Sequence, residues 1–278
     1  MKRIIFGFAM LTVILSASFG QTKSTIEWVT IPAGTFTMGS PASELNRHDD
    51  ETQHQVTLSD FKISKYEITN AQYAAFLNTK KIDSDGLYAA GTFPEQVLIY
   101  ASSWSLTYTN NHWMPVAGYE NHPVINVTWY GATEFAAYAG GILPTEEQWE
   151  YACRGNTTTP FNTGACLSNT QANYNWSYPY DNCTNTSTTY PGTTQAVGSY
   201  PANTYGLYNM HDNVSEWCSS LFDRTAQTNA TDATSSSVRV IRGGSWNSLA
   251  QNCRSAIRGD YDSDSYSDFI GFRVVIVP

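Results

Sequence analysis

The chain has 278 residues and a formal net charge of −9, from 24 acidic and 15 basic side chains. Charged residues make up 14%, well below the usual quarter or so, while hydrophobic residues make up 41% and aromatics 14%. This profile excludes a disordered chain, and the acidic balance argues against reading nucleic-acid phosphates through a basic face or adhering to anionic lipid.

The first twenty residues read as a cleavable secretory signal. Lys2 and Arg3 precede an apolar run over 4–15, and the small residues Ser18 and Gly20 stand ahead of Gln21. The apolar run falls short of the ~20 residues that span a bilayer, and no later stretch could span one. A secreted or cell-envelope protein is therefore expected, with no membrane span in the mature chain. Losing Lys2 and Arg3 would move the charge from −9 to −11.

Short strands are expected at 27–31, 34–38, 55–58, 61–63 and 238–242, with a last one at 272–277. Three helices announce themselves by their caps. Thr69 with Gln72, and Thr145 with Gln148, are T-x-x-Q capping boxes ahead of apolar faces, and Thr128 caps a third helix that ends at Gly140 and Gly141. Long polar loops fill the rest, above all 155–205, and such loops persist in compact domains when they are functional or held by disulfides or ions. Of five cysteines, Cys166 and Cys183 bracket that loop and form the easiest local pair; Cys153, Cys218 and Cys253 remain, and one thiol must be left over. The fold class is α+β, one loop-rich domain over 26–278.

Seven ordered segments resemble the formylglycine-generating enzyme and sulfatase-modifying factor family. They are I-P-A-G-T-F-T-M-G-S (31–40), Y-E-I-T-N-A-Q-Y (66–73), H-P-V-I-N-V-T-W (122–129), L-P-T-E-E-Q-W-E-Y-A (143–152), Y-G-L-Y-N-M-H-D-N-V-S-E-W (205–217), R-G-G-S-W (242–246) and G-F-R (271–273). The resemblance implies a decorated C-type-lectin-like fold. It also implies a structural calcium ion held by the side chains of Asn209 and Glu216 and the carbonyls of Asp212 and Val214, an all-oxygen set suited to a hard cation. A second calcium site would use Asn173 and the Tyr174 carbonyl, with Asp181 as the candidate acidic ligand.

Active members of the family bind copper through two thiolates placed after G-G-S. Counted from Ser245, those positions are Ser248 and Cys253, and a hydroxyl is too hard a ligand for cuprous ion, so copper and catalysis are not expected. Cys253 is then expected to pair with Cys218, the alternative being a free reactive thiol. From 246 to 270 the chain is rich in Asn, Ser, Asp and Tyr, the chemistry of adaptable binding surfaces. Its position between R-G-G-S-W and G-F-R-V-V resembles the variable region of retroelement-diversified proteins. The expected ligand-binding residues are Trp246, Asn247, Ser248, Asn252, Asp260, Tyr261, Asp262, Asp264, Tyr266, Asp268 and Phe269. The expected function is a secreted, non-catalytic binder of a protein or glycan. The alternative is an oxidoreductase of the family, acting on a sulfatase cysteine or another substrate at an altered metal site.

Overall fold

Two small sheets, two hairpins and three short helices organise residues 25–222 and 237–278, the part of the chain that the computed structural model describes. The expected leader at 1–20 lies outside the described residues. No helix among them is long and apolar enough to cross a membrane.

The helices start where their caps direct. α1 (Asn70–Lys80) opens with the full box: the Gln72 amide donates to Thr69 Oγ1 at 3.3 Å and the Thr69 amide to Gln72 Oε1 at 2.9 Å. α3 (Glu146–Arg154) repeats it with Thr145 and Gln148, and Gly155 ends it at a left-handed φ of 53°. α2 (Trp129–Tyr138) is capped by Thr128 alone, which accepts from the Gly131 amide.

In the first sheet β4 (Phe61–Ser64) lies between β1 (Trp28–Ile31) and β11 (Val275–Ile276), both antiparallel to it. In the second, β7 (Ser215–Leu221) pairs in parallel with β10 (Ile270–Gly271) and antiparallel with β8 (Val238–Arg242), which also pairs with β9 (Gly259–Asp262). β2 (Gly34–Met38) and β3 (His54–Leu58) form one hairpin. The other, β5 (Leu106–Thr109) with β6 (His112–Pro115), turns on Asn110 and Asn111, whose φ values of 52° and 59° are those of a primed two-residue turn.

The expected strand at 272–277 shortens to β11. Phe272 and Val274 are extended and buried, but their carbonyls accept from the Ile68 and Ser64 amides in an irregular extension of the first sheet. The main core joins α1, α2 and this segment through Tyr73, Phe76, Phe135 and Phe272, with ring centroids 5.3–5.9 Å apart. A separate cluster of Phe161, Leu167, Tyr174 and Tyr180 lies under the long loop and packs on Ala250 and Cys253. The Cys166–Cys183 disulfide closes that loop, as the sequence suggested.

Candidate functional site

The G-G-S motif leaves β8 and bends into a 3-10 turn (Ala250–Cys253), and between them opens a cavity of about 400 Å³. Ser245, Asn247, Ser248 and Asn252 line it together with His48 and Phe269. Gly244 makes the bend possible: its φ is +73°, and a Cβ there would lie 2.6 Å from Cys253 Sγ. The Ser245 amide donates to Ser248 Oγ at 3.0 Å, and the two hydroxyl oxygens are 3.1 Å apart. Cys253 does not line the cavity. It is fully buried, its Sγ donates to the Leu249 carbonyl at 3.5 Å, and burial pushes its thiol pKa far up. Its lining offers hydroxyls, carboxamides, the His48 imidazole and the Arg242 and Arg258 guanidiniums, and no thiol.

The expected Cys218–Cys253 disulfide does not form; both thiols are free and buried. Cys218 sits on β7 in the cluster around Trp149, whereas Cys253 belongs to the cluster under the long loop. Cys153 is the third free thiol, 3.6 Å from His211 Nε2, and burial raises its pKa to about 12.

Residues 246–270 divide into surface and support. Asn247, Asn252, Asp262, Asp264 and Tyr266 are exposed, while Ser248, Asp260, Tyr261, Asp268 and Phe269 are half-buried. Trp246 is buried and donates its Nε1 hydrogen to the Asp268 carbonyl at 3.0 Å. Tyr261 and Phe269 meet edge to face at 5.9 Å and pack on the main core. Arg254, Ser255, Ala256 and Ile257 between them are buried. Arg254 ties this stretch to the β2–β3 loop through Glu51, at 2.6 and 2.8 Å, and Glu44 at 2.6 Å, and Arg258 grips Glu146 at 2.7 and 2.9 Å.

The residues expected to hold calcium sit in a second, deeper place. Both oxygens of Glu216 are committed: Arg273 donates to them at 2.6 and 2.7 Å, and Trp149 Nε1 at 2.7 Å. Asn209 Oδ1 accepts from the Gly198 amide, and its Nδ2 donates to Asp212. Asp212 also accepts from the Asn173 amide at 2.6 Å, yet burial raises its pKa to about 7. Val214 and Tyr174 are fully buried.

Sequence reasoning missed Glu67. Asn213 links it to Asn173, donating to Glu67 Oε2 at 3.0 Å and accepting from Asn173 Nδ2 at 3.2 Å. Burial, then the nearby Glu216 and Asp212, raise the Glu67 pKa well above the carboxylate range. Glu67 Oε1 and Asn173 Oδ1 are buried oxygens without a hydrogen-bond partner. A buried acceptor left unpaired is costly, and oxygens of this kind suit a hard cation. The available signal was a Glu inside the Y-E-I-T-N segment, flanked by residues that pack inward.

Residues 16–277 match the sulfatase-modifying factor enzyme 1-like domain. The formylglycine-generating enzyme of Streptomyces coelicolor is 32% identical in an alignment 290 positions long that covers 91% of this chain and 90% of that enzyme. Serine/threonine-protein kinase pkn1 of Chlamydia caviae is also 32% identical, over 89% of this chain, but the chain spans only 37% of that relative's length. Among solved structures, PvdO from Pseudomonas aeruginosa superposes with a TM-score of 0.70 at 25% identity, covering 92% of this chain and 96% of PvdO. Treponema denticola variable protein 1 shares the fold, with a TM-score of 0.63 at 21% identity, covering 92% and 98% of the two chains. The match over nearly the whole length places this chain in the sulfatase-modifying factor family, the family of the formylglycine-generating enzymes.

Proposed function

We propose that this chain is a secreted ligand-binding protein that keeps the family scaffold without its copper chemistry. The observation that carries the reading is the pair of family thiolate positions: one is the hydroxyl of Ser248, and the other is the Cys253 thiol, sealed beneath Gly244 and hydrogen-bonded to its own turn. A buried thiol with a raised pKa is a poor source of thiolate, and serine oxygen is a poor ligand for a soft metal. The binding face is the exposed part of 246–270, presented over a buried frame of Arg254 to Ile257. Its alternation of exposed polar and aromatic residues with buried anchors is the arrangement a surface of changeable sequence needs.

Glu67, Asn173 and Asp212 would hold a hard cation such as calcium, since together they offer oxygens only and two of these lack partners. Such an ion would supply structural charge compensation, not chemistry.

The test of the reading is incubation of the purified chain with a sulfatase-type cysteine peptide, with and without copper, followed by mass spectrometry. No formylglycine is expected in either arm. Formylglycine formed in the copper arm and absent from a control without the protein would overturn the reading and restore the oxidoreductase.

A further inference from the structure

Two loops outside 246–270 bring aromatic rings to the same face. From one, Tyr100 stacks on Tyr266 with ring centroids 3.7 Å apart and planes 19° apart, and Trp104 lies edge to face with Trp246 at 6.1 Å. From the other, the Asn175 amide donates to the Ser248 carbonyl at 2.9 Å, and the Ala250 amide to the Tyr178 carbonyl at 3.3 Å. These bonds hold the backbone at Tyr178 against the 3-10 turn that borders the cavity. Trp104, Tyr266 and Tyr178 remain 38%, 47% and 56% exposed, among the most exposed large apolar side chains of the described residues. Large rings held in place yet open to solvent are the anchors that protein interfaces favour.

Charge is distributed just as unevenly. No lysine follows Lys81 anywhere in the sequence. Of the arginines beyond it, Arg224 lies outside the described residues, Arg154, Arg239, Arg242, Arg254 and Arg273 are buried, and Arg258 is bound bidentately by Glu146. Among the described residues after Lys81, therefore, no exposed Lys or Arg faces solvent, whereas Asp181 does, near Tyr178 in sequence, as do Asp262 and Asp264, near Tyr266. A neutral glycan would stack on the rings and donate its hydroxyl hydrogens to the carboxylates, but would leave their charge unmet. A lysine or arginine side chain gains from both, from the ring face by cation–π attraction and from the carboxylates by charge.

Building on the binding reading above, we infer that the face extends beyond 246–270 onto Tyr100, Trp104 and Tyr178, and that its partner is a protein whose epitope presents lysine and arginine. The aromatic frame belongs to loops that the 246–270 stretch does not encode, so it supplies affinity for the class of partner while the stretch chooses among its members.

The experiment pans a displayed random twelve-residue peptide library against the full chain, with a glycan array as a parallel probe. The expected result is enrichment of peptides richer in Lys and Arg than the input, whose binding weakens with added salt. Trp104→Ala and Tyr178→Ala should each weaken the best peptide about tenfold, within reach of a single interface anchor. Thermal melts check that each variant is folded, and if Trp104→Ala is not, Tyr178→Ala carries the test. Enrichment without a basic bias, or binding to the glycan array alone, would overturn the choice of partner. If Tyr266→Ser abolishes peptide binding while both framework variants retain it, the extension fails and the binding reading stands. If all three variants bind as the parent does, both fail. An absence of any enriched peptide counts against the inference.

Discussion

Glu216 and Glu67 are buried carboxylates with opposite fortunes. Glu216 is balanced by Arg273 and by the Trp149 indole, so Glu216→Ala would strand a fully buried guanidinium and should cost about 3–5 kcal/mol in urea unfolding. Glu67 has only neutral or distant compensation, with Oε1 unpaired. Glu67→Gln should therefore keep or raise the melting temperature in chelator, and should flatten the rise that calcium produces in the parent. A calcium response unchanged in Glu67→Gln would remove that residue from the ion site. His211 makes a pH prediction. Its Nδ1 donates to the Cys253 carbonyl at 2.7 Å and its Nε2 accepts from the Asn162 amide at 2.9 Å, so the neutral ring is the one built in. Burial lowers its pKa from 6.5 to about 4. A base with a depressed folded pKa contributes stability above the unfolded value, and that contribution is lost as pH falls from 6.5 toward 4. The stability gap between the parent and His211→Gln should be widest at pH 7 and narrow toward pH 4, as read by melts across that range.

At the scale of elements, β9 and the segment after it carry side chains with different duties. Tyr266 gives only its stack on Tyr100, so Tyr266→Ser should cost about 1 kcal/mol, the worth of an aromatic pair. Phe269 packs on the main core and against Tyr261, so Phe269→Ala should cost about 3 kcal/mol, near the range for large core truncations. Chemical unfolding of the two variants separates them; equal costs would show that this stretch is uniformly structural. Reducing or removing the Cys166–Cys183 bridge, which closes a separation of 17 residues, should cost about 3 kcal/mol and speed amide exchange in the cluster that supports the 3-10 turn. The helices were legible in the sequence because a capping box is local: Thr69, Gln72, Thr145 and Gln148 state both ends of the bond within four residues. β7 and β10 were not, because Ser215 finds its partner at Ile270 and nothing near either residue announces it. The Asn110–Asn111 turn was local and was overlooked, being flanked by strands of only four residues each. Counting from G-G-S reached Ser248, which lines the cavity, but also Cys253, which does not, and the orphaned Glu67 oxygen was not legible at all, since lacking a partner is a property of the whole packing.

For the molecule as a whole, the buried arginines join ends of the chain that are far apart. Arg254 binds Glu51 from 203 residues away, and Arg273 donates to the Ser64 carbonyl from 209 residues away. β11 completes the first sheet beside a strand formed near residue 61. An emerging chain thus cannot close its core until nearly all of it has left the ribosome or the translocon, and pairing over such distances is slow. A chain stopped before residue 254 should be digested quickly by protease, while the full chain resists, and a resistant truncated chain would show that the latch is dispensable. Asp262, Asp264 and Tyr266, exposed side chains of the proposed binding face, lie between Arg254 and Arg273. Under the proposed binding reading, any altered version of that surface is made before the fold can be completed, so quality control by folding would inspect the proposed binding face together with the scaffold, and a sequence that spoiled the latch would be discarded before it could meet any partner.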